Sequence, residues 1–433
     1  MSKFIKKSKP TGPLITLVLL LLIYACEVEK MEPAQPTPDV EETIPESEDS
    51  TPNKPDSTSN DKGETNKLEK VNIGDGSGRV IIKDVKDKEY TITPGTYWRI
   101  EIENVDNIVV DGLDDVKVVG GNINISGVNN LTVRRISLEN NSQSAIYIEN
   151  SANNLMLEDL KIKNIKDWVI RFNIDKKYDG SPESYSENIQ LKNLYAENIG
   201  SLFVSKGEIK ADGFYGLIKG FKLSNSRIIN SPNLSNGIYL GCGEEYEISN
   251  NLVNNVNKSN GYPNGNNNHN GIFHVNGNGK LFGNKITNHQ GNAVRSWLYS
   301  ITKPNATVEI FNNIVYNSTR YSAFEVQVIP TTGILPSFNP ANARIYNNTV
   351  GRMNTGQPKF YEGRIVDIYN TKGLVEVFDN LYFNMRDNVV SLNQSNRSET
   401  KVDEKNNIYF DNDSDAVVDL ENLKSKVPGV GAH

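Results

Sequence analysis

The stretch VEIFNNIVYN, residues 308–317, decides the fold. It alternates apolar and polar residues, places Asn312 beside Asn313, adds Ile314-Val315 and closes on Asn317. The same phrase returns at 131–140 (LTVRRISLEN), 155–164 (LMLEDLKIKN), 189–198 (IQLKNLYAEN) and 221–230 (FKLSNSRIIN). It returns again at 246–255 (YEISNNLVNN), 280–289 (KLFGNKITNH), 343–352 (ARIYNNTVGR) and 375–384 (VEVFDNLYFN), making nine copies. Self-similarity at a period of 20–50 residues marks a solenoid.

Aligned, the copies form columns. The apolar column reads Val133, Leu157, Leu191, Leu223, Ile248, Phe282, Ile310, Ile345, Val377, in steps of 24 to 35 residues. Two positions on come Arg135, Asp159, Asn193, Asn225, Asn250, Asn284, Asn312, Asn347 and Asp379. Seven on come Asn140, Asn164, Asn198, Asn230, Asn255, His289, Asn317, Arg352 and Asn384. Asn suits turns because it tolerates left-handed backbone angles and its amide bonds local backbone. Asn above Asn at about 4.8 Å can also form an amide ladder. The shortest step predicts a bare coil of about 24 residues, three short strands and three turns; the excess is inserted loop.

This pattern resembles the right-handed parallel β-helix of the pectin-lyase-like superfamily, over roughly residues 80–410. The segment YTITPGTYWRIEIENVDNIVVDG (90–112) resembles the start of such helices. The expectation is an all-β solenoid of about ten coils with side loops. A segment at 76–85 is expected to cap its N-terminal end, and 401–410 to form a last partial coil, with 411–433 closing it or lying alongside.

The 433 residues are 37% hydrophobic, which suits the thin core of a solenoid. Residues 1–26 read as an export signal. Lys3, Lys6, Lys7 and Lys9 precede a short apolar run, Leu14 to Ile23. The run ends in Ile-Tyr-Ala-Cys, which resembles a bacterial lipobox. That resemblance implies lipid on Cys26 and a tether to the bacterial outer membrane or cell surface. An ordinary signal with a chance Cys is the alternative. Residues 27–70 are Pro-, Ser-, Thr- and acid-rich and read as a disordered linker. The third division, 71–433, is the β-helix domain. The signal carries +4 and the linker −8, which leaves −3 of the overall −7 on the domain. With no basic block, nucleic-acid binding is not expected. Cys242 is the one cysteine beyond the anchor and reads as a buried structural thiol.

A third strand follows each second turn: AIYIEN (145–150), VIRFN (169–173), LFVSK (202–206), GIYLG (237–241), GIFHV (271–275), AVRSW (293–297), AFEVQ (323–327), IVDIY (365–369) and VVSLN (389–393). Alternation predicts that the third place faces out. That column reads Tyr147, Arg171, Tyr239, Phe273, Arg295, Glu325, Asp367, Ser391. The fifth place reads Glu149, Asn173, Gly241, Val275, Trp297, Gln327, Tyr369, Asn393, and Lys206 joins this face. The inserted segments 175–186, 207–219, 257–270, 329–341 and 354–363 all flank a third strand, so they would wall a groove.

Those contents suit a polysaccharide. Tyr239, Phe273, Trp297 and Tyr369 can stack on sugar rings, and Arg171, Lys206 and Arg295 can hold carboxylates or sulfates. Glu325 and Asp367 stack on adjacent coils at about 5 Å, compatible with a retaining glycosidase pair or, with Gln327, a calcium site. A plain surface ladder of Arg295, Glu325 and Asp367 is the alternative. His269, His274 and His289 invite a metal or acid–base reading. The alignment places His289 in a turn column and His274 inward, which leaves His269 as a candidate base. The resemblance implies a lyase or hydrolase for acidic polysaccharides. Neither a specific lyase motif nor the paired-Asp pattern of polygalacturonases is present. A glycan-binding or structural surface protein without catalysis is the competing reading.

Overall fold

A computed structural model describes residues 68–257, 271–328, 336–356, 364–385, 393–395, 400–419 and 421–433. These fold as a parallel β-helix, each coil pairing in parallel with the next. In the first sheet the pairings run Val133↔Leu157↔Leu191↔Leu223↔Ile248↔Leu281↔Ile310↔Ile345↔Val377. Every one of these side chains is buried in the core. Leu281, not Phe282, continues the apolar column. Phe282 faces out instead and begins a ring stack with Phe311, Tyr346 and Phe378, at centroid spacings of 4.9, 5.0 and 5.0 Å.

The turn columns explain why the sequence repeats Asn. Arg135, Asp159, Asn193, Asn225, Asn250, Asn312, Asn347 and Asp379 all have φ between 52° and 56°. Asn140, Asn164, Asn198, Asn230, Asn255, Asn317, Arg352 and Asn384 lie between 47° and 60°. An L-residue pays about 1–2 kcal/mol for this conformation, and Asn tolerates it best. In the coil read as 280–289, Gly283 (φ 65°) and Asn288 (φ 52°) hold these places, not Asn284 and His289. The copy is displaced by one residue.

The second Asn of each pair turns inward. Asn251, Asn284, Asn313, Asn348, Asn380 and Asn407 stack, each amide nitrogen donating to the next Oδ1 at 2.9–3.0 Å. Asn284, Asn313, Asn348 and Asn380 are at most 1% exposed. Their second N–H bonds meet backbone carbonyls of the coil before, as in Asn313 to Leu281 O at 2.9 Å. Each amide is satisfied within the core, which is what permits polar groups there.

The coils begin earlier than expected. Glu69–Ile73 pairs with 88–92, and residues expected to cap the end at 76–85 already pair with 96–105. Val80 lies beside Ile100 and Ile82 beside Ile102, so the bare coil is about 20 residues, not 24. At the far end Lys401–Lys405 and Ile408–Phe410 add a last pairing onto Leu374–Phe378 and Leu381–Phe383. The tail then lies along the second sheet, burying Ala416, Val418, Leu423 and Ala432 against Ile314, Leu381 and Phe383.

Candidate functional site

In the third sheet the register runs Tyr147↔Arg171↔Val204↔Tyr239↔His274↔Arg295↔Glu325↔Asp367. The preceding residues Ile238, Phe273, Val294, Phe324 and Val366 are core. Alternation therefore turns this column away from the core. Two residues on, Asn276↔Trp297↔Gln327↔Tyr369 form a parallel column.

Phe273 was expected to face out and stack on sugar; it is fully buried, and His274 takes its place. The cause is one extra residue before the strand. Phe273 pairs with Ile238, while the amides of Gly237 and Ile238 both donate to Ile272 O, at 2.7 and 3.0 Å. Val275 likewise faces in, beside Leu240, and Asn276 replaces it in the outer column.

Tyr239 meets His274 edge-on at 4.9 Å between ring centroids, and His274 meets Trp297 at 5.7 Å. Burial first of all, with Glu208 nearby, raises the Tyr239 hydroxyl above its usual range; Arg295 and a bond to Asn276 oppose this only in part. The phenol stays protonated at neutral pH. Arg295 Nε sits 2.9 Å from Glu325 Oε1. With the Gln327 amide turned so that its oxygen faces them, it accepts from Arg295 Nη2 at 3.2 Å and from Trp297 Nε1.

Glu325 and Asp367 face away from the core yet are 1% and 0% exposed. Asn292 donates its amide to Glu325, and Ser322 donates its hydroxyl to Asp367. Neither carboxylate has surface with which to touch a polymer. They anchor Arg295 and the turn before the strand. For calcium the donor set is poor, because the Arg295 guanidinium already occupies one Glu325 oxygen. Among the described residues no three His, Cys, Asp or Glu cluster as metal ligands.

One flank of the columns is an aromatic wall. A hairpin of Glu208–Lys210 with Gly213–Tyr215 brings Phe214 onto Tyr299 at 5.6 Å, and Phe338 meets Tyr299 at 6.2 Å. Leu217 and the Cys242 thiol complete this buried cluster, with Trp297 packed against it. Burial pushes the thiol up to about 12, so it is inert. Glu244, buried beneath, accepts from Ser300 Oγ at 2.8 Å, Ile301 N at 2.6 Å and Thr302 N at 2.9 Å. Burial raises its carboxyl, but these donors outweigh that and leave it below the usual range.

Among the other expected site residues, Arg171 lies over the Trp168 ring at 4.4 Å, and Lys206 is exposed on the following coil. Tyr369 and Trp297 are half-buried. His269, Cys26, Ser391, the signal and linker up to residue 67, and most of the segments 257–270, 329–341 and 354–363 lie outside the described residues. His289, expected in a turn column, is buried at the end of the strand Lys285–His289 beside Ser318, and Asn288 takes the turn.

No protein-family model matches the chain, and no curated protein matches it. Solved structures that match include the alginate lyase AlyF-OU02 in complex with G6. It is 10% identical, with TM-score 0.29, covering 85% of this chain and 88% of that one. Another is a PL6 alginate lyase in complex with a trisaccharide, 12% identical, with TM-score 0.28, covering 85% and 93%.

Proposed function

We propose that this protein is a lyase that cleaves a uronate-containing polysaccharide by β-elimination on the outer face of the third sheet. The observation that carries the reading is the Tyr239–His274 contact at 4.9 Å, with Arg295 on the next coil. His274 takes the C5 proton, the C4–C5 double bond forms, and the C4–O bond breaks. Tyr239 gives its proton to the leaving oxygen; its raised pKa suits a donor and not a base. Arg295 meets the uronate carboxylate, held in place by Glu325 and Gln327. Trp297 and Tyr369 offer ring faces to neighbouring sugars.

Burial of Glu325 and Asp367, 1% and 0% exposed against 6% for His274, argues against hydrolysis, since a glycosidase pair must reach both sides of the scissile bond. A lipid anchor at Cys26, the linker as its tether, and a place at the bacterial outer membrane or cell surface belong to this proposal. The test incubates the purified protein with a panel of uronate polymers, alginate included. Ultraviolet absorbance reads unsaturated products and a reducing-end assay reads total cleavage. Both signals rising together support the lyase. Reducing ends without absorbance would mean hydrolysis, and binding without either would make the protein a glycan-binding module.

A further inference from the structure

The cations of the outer face differ in how they are balanced. Arg295 is paired with Glu325. Arg171 and Lys206, on the N-terminal side of Tyr239, are not: among the described residues no carboxylate pairs with either. Arg171 Nε is buried and makes no hydrogen bond, and the neighbouring Asn173 Oδ1 is likewise without a donor. Two carboxylates close to this column in register or in sequence are engaged elsewhere. Glu149 accepts from Asn173 Nδ2 at 3.3 Å, and Glu208 pairs with Lys210 at 2.7 Å.

Between Arg171 and Tyr239 the column holds Val204, a short apolar side chain flanked by two long ones. Two coil spacings, about 10 Å, separate Arg171 from Tyr239. Lys206 follows Val204 by two residues and so shares its face. Trp168 backs the Arg171 guanidinium at 4.4 Å, which fixes its plane; with Nε buried, the terminal Nη groups are left for a ligand.

We propose that Arg171 and Lys206 form a second anion subsite, which takes a carboxylate or sulfate of an acidic polysaccharide whose chain crosses Val204 to reach Tyr239. This rests on the lyase reading for the identity of the polymer. It adds that the polymer runs along the helix axis and bears charge on more than one unit.

The experiment is calorimetric binding to protein carrying His274→Ala, so that no turnover intervenes. The ligands are an oligouronate, its carboxyl-reduced counterpart and a sulfated neutral oligosaccharide. Two charge-assisted contacts predict that R171Q/K206Q weakens oligouronate binding about 10- to 100-fold, with binding of the reduced oligomer unchanged. Loss confined to the sulfated ligand would keep the subsite and assign it to sulfate. Unchanged binding of both anionic ligands in the double variant, or no anion binding by the parent, would overturn the proposal. K206Q alone, at an exposed side chain, carries the test should R171Q misfold. Subsite and chemistry fail separately: anion binding that depends on these two cations survives a negative turnover assay.

Discussion

The first coils and the later ones are built from the same repeat but treat their outward residues differently. In the N-terminal coils, Arg79 pairs with Glu101 and Lys83 with Glu103, all at least partly exposed. In the later coils the equivalent pair is Arg295–Glu325, at 18% and 1% side-chain exposure. Bare coils of about 20 residues leave an outward ladder in water, where an ion pair contributes about 0–1 kcal/mol. Longer coils carry insertions beside the third sheet, and there the same ladder is desolvated. Charge, hydrogen bonding and proton donation then act in a low dielectric, where they are strong enough to orient a substrate.

The largest effect expected from this contrast is catalytic. If His274 and Tyr239 are the acid–base groups proposed above, His274→Ala or Tyr239→Phe should lower kcat/KM on a cleaved uronate polymer by about 10²- to 10⁴-fold. Tyr147→Phe, on the same column but among the earlier coils, should leave turnover unchanged. Equal losses in all three variants would erase the distinction between the two regions.

Stability gives the next contrast. Glu325→Ala removes the buried carboxylate from Arg295 and should destabilise the protein by about 3 kcal/mol in denaturant unfolding, against under about 1 kcal/mol for Glu101→Ala. Asn313→Ala breaks the buried amide ladder and leaves partners on Asn284 and Asn348 unsatisfied, a cost of about 2–3 kcal/mol. The solvent-facing Asn164→Ala, in the outer ladder with Asn140 at 3.0 Å, should cost about 1–2 kcal/mol, chiefly through its left-handed backbone.

The smallest effect concerns pH. The Glu244 carboxyl is depressed in the folded protein, so the stability it lends to the 300–302 turn is fully present above the ordinary carboxylate range. That stability is lost as pH falls below the ordinary carboxylate range and through the folded pKa. Protection of the Ile301 and Thr302 amides, measured as exchange relative to the intrinsic rate at each pH, should fall over that acid window, and Glu244→Gln should flatten the dependence. Protection that is independent of pH in both proteins would remove Glu244 as the anchor of the wall.

Much of the architecture was legible because turns and core impose a period. A left-handed residue recurs once per turn, and Asn312, Asn347 and Asn250 announce it by side-chain chemistry. The period is hidden where Gly does the same work without looking like Asn. Taking Gly283–Asn284 as the counterpart of Asn312–Asn313 restores Leu281 to the core and Asn288 to the turn. Gly271-Ile272 resembles Gly237-Ile238 in sequence, but an added residue in the turn shifts the strand. That one place hid His274 and Asn276. The columns of Arg295, Glu325 and Asp367 could be aligned from the repeat, but their burial could not. It depends on what covers the face, and inserted segments carry no period.

The account stands most directly on where a substrate lies. The decisive measurement is a crystal structure of the His274→Ala protein soaked with an oligouronate of at least tetrasaccharide length. The account predicts a sugar bridging Tyr239 and Arg295, with its C4 oxygen at the phenol and the chain continuing over Val204 toward Arg171. An oligosaccharide bound on another sheet, or across the coils away from Tyr239, would contradict it.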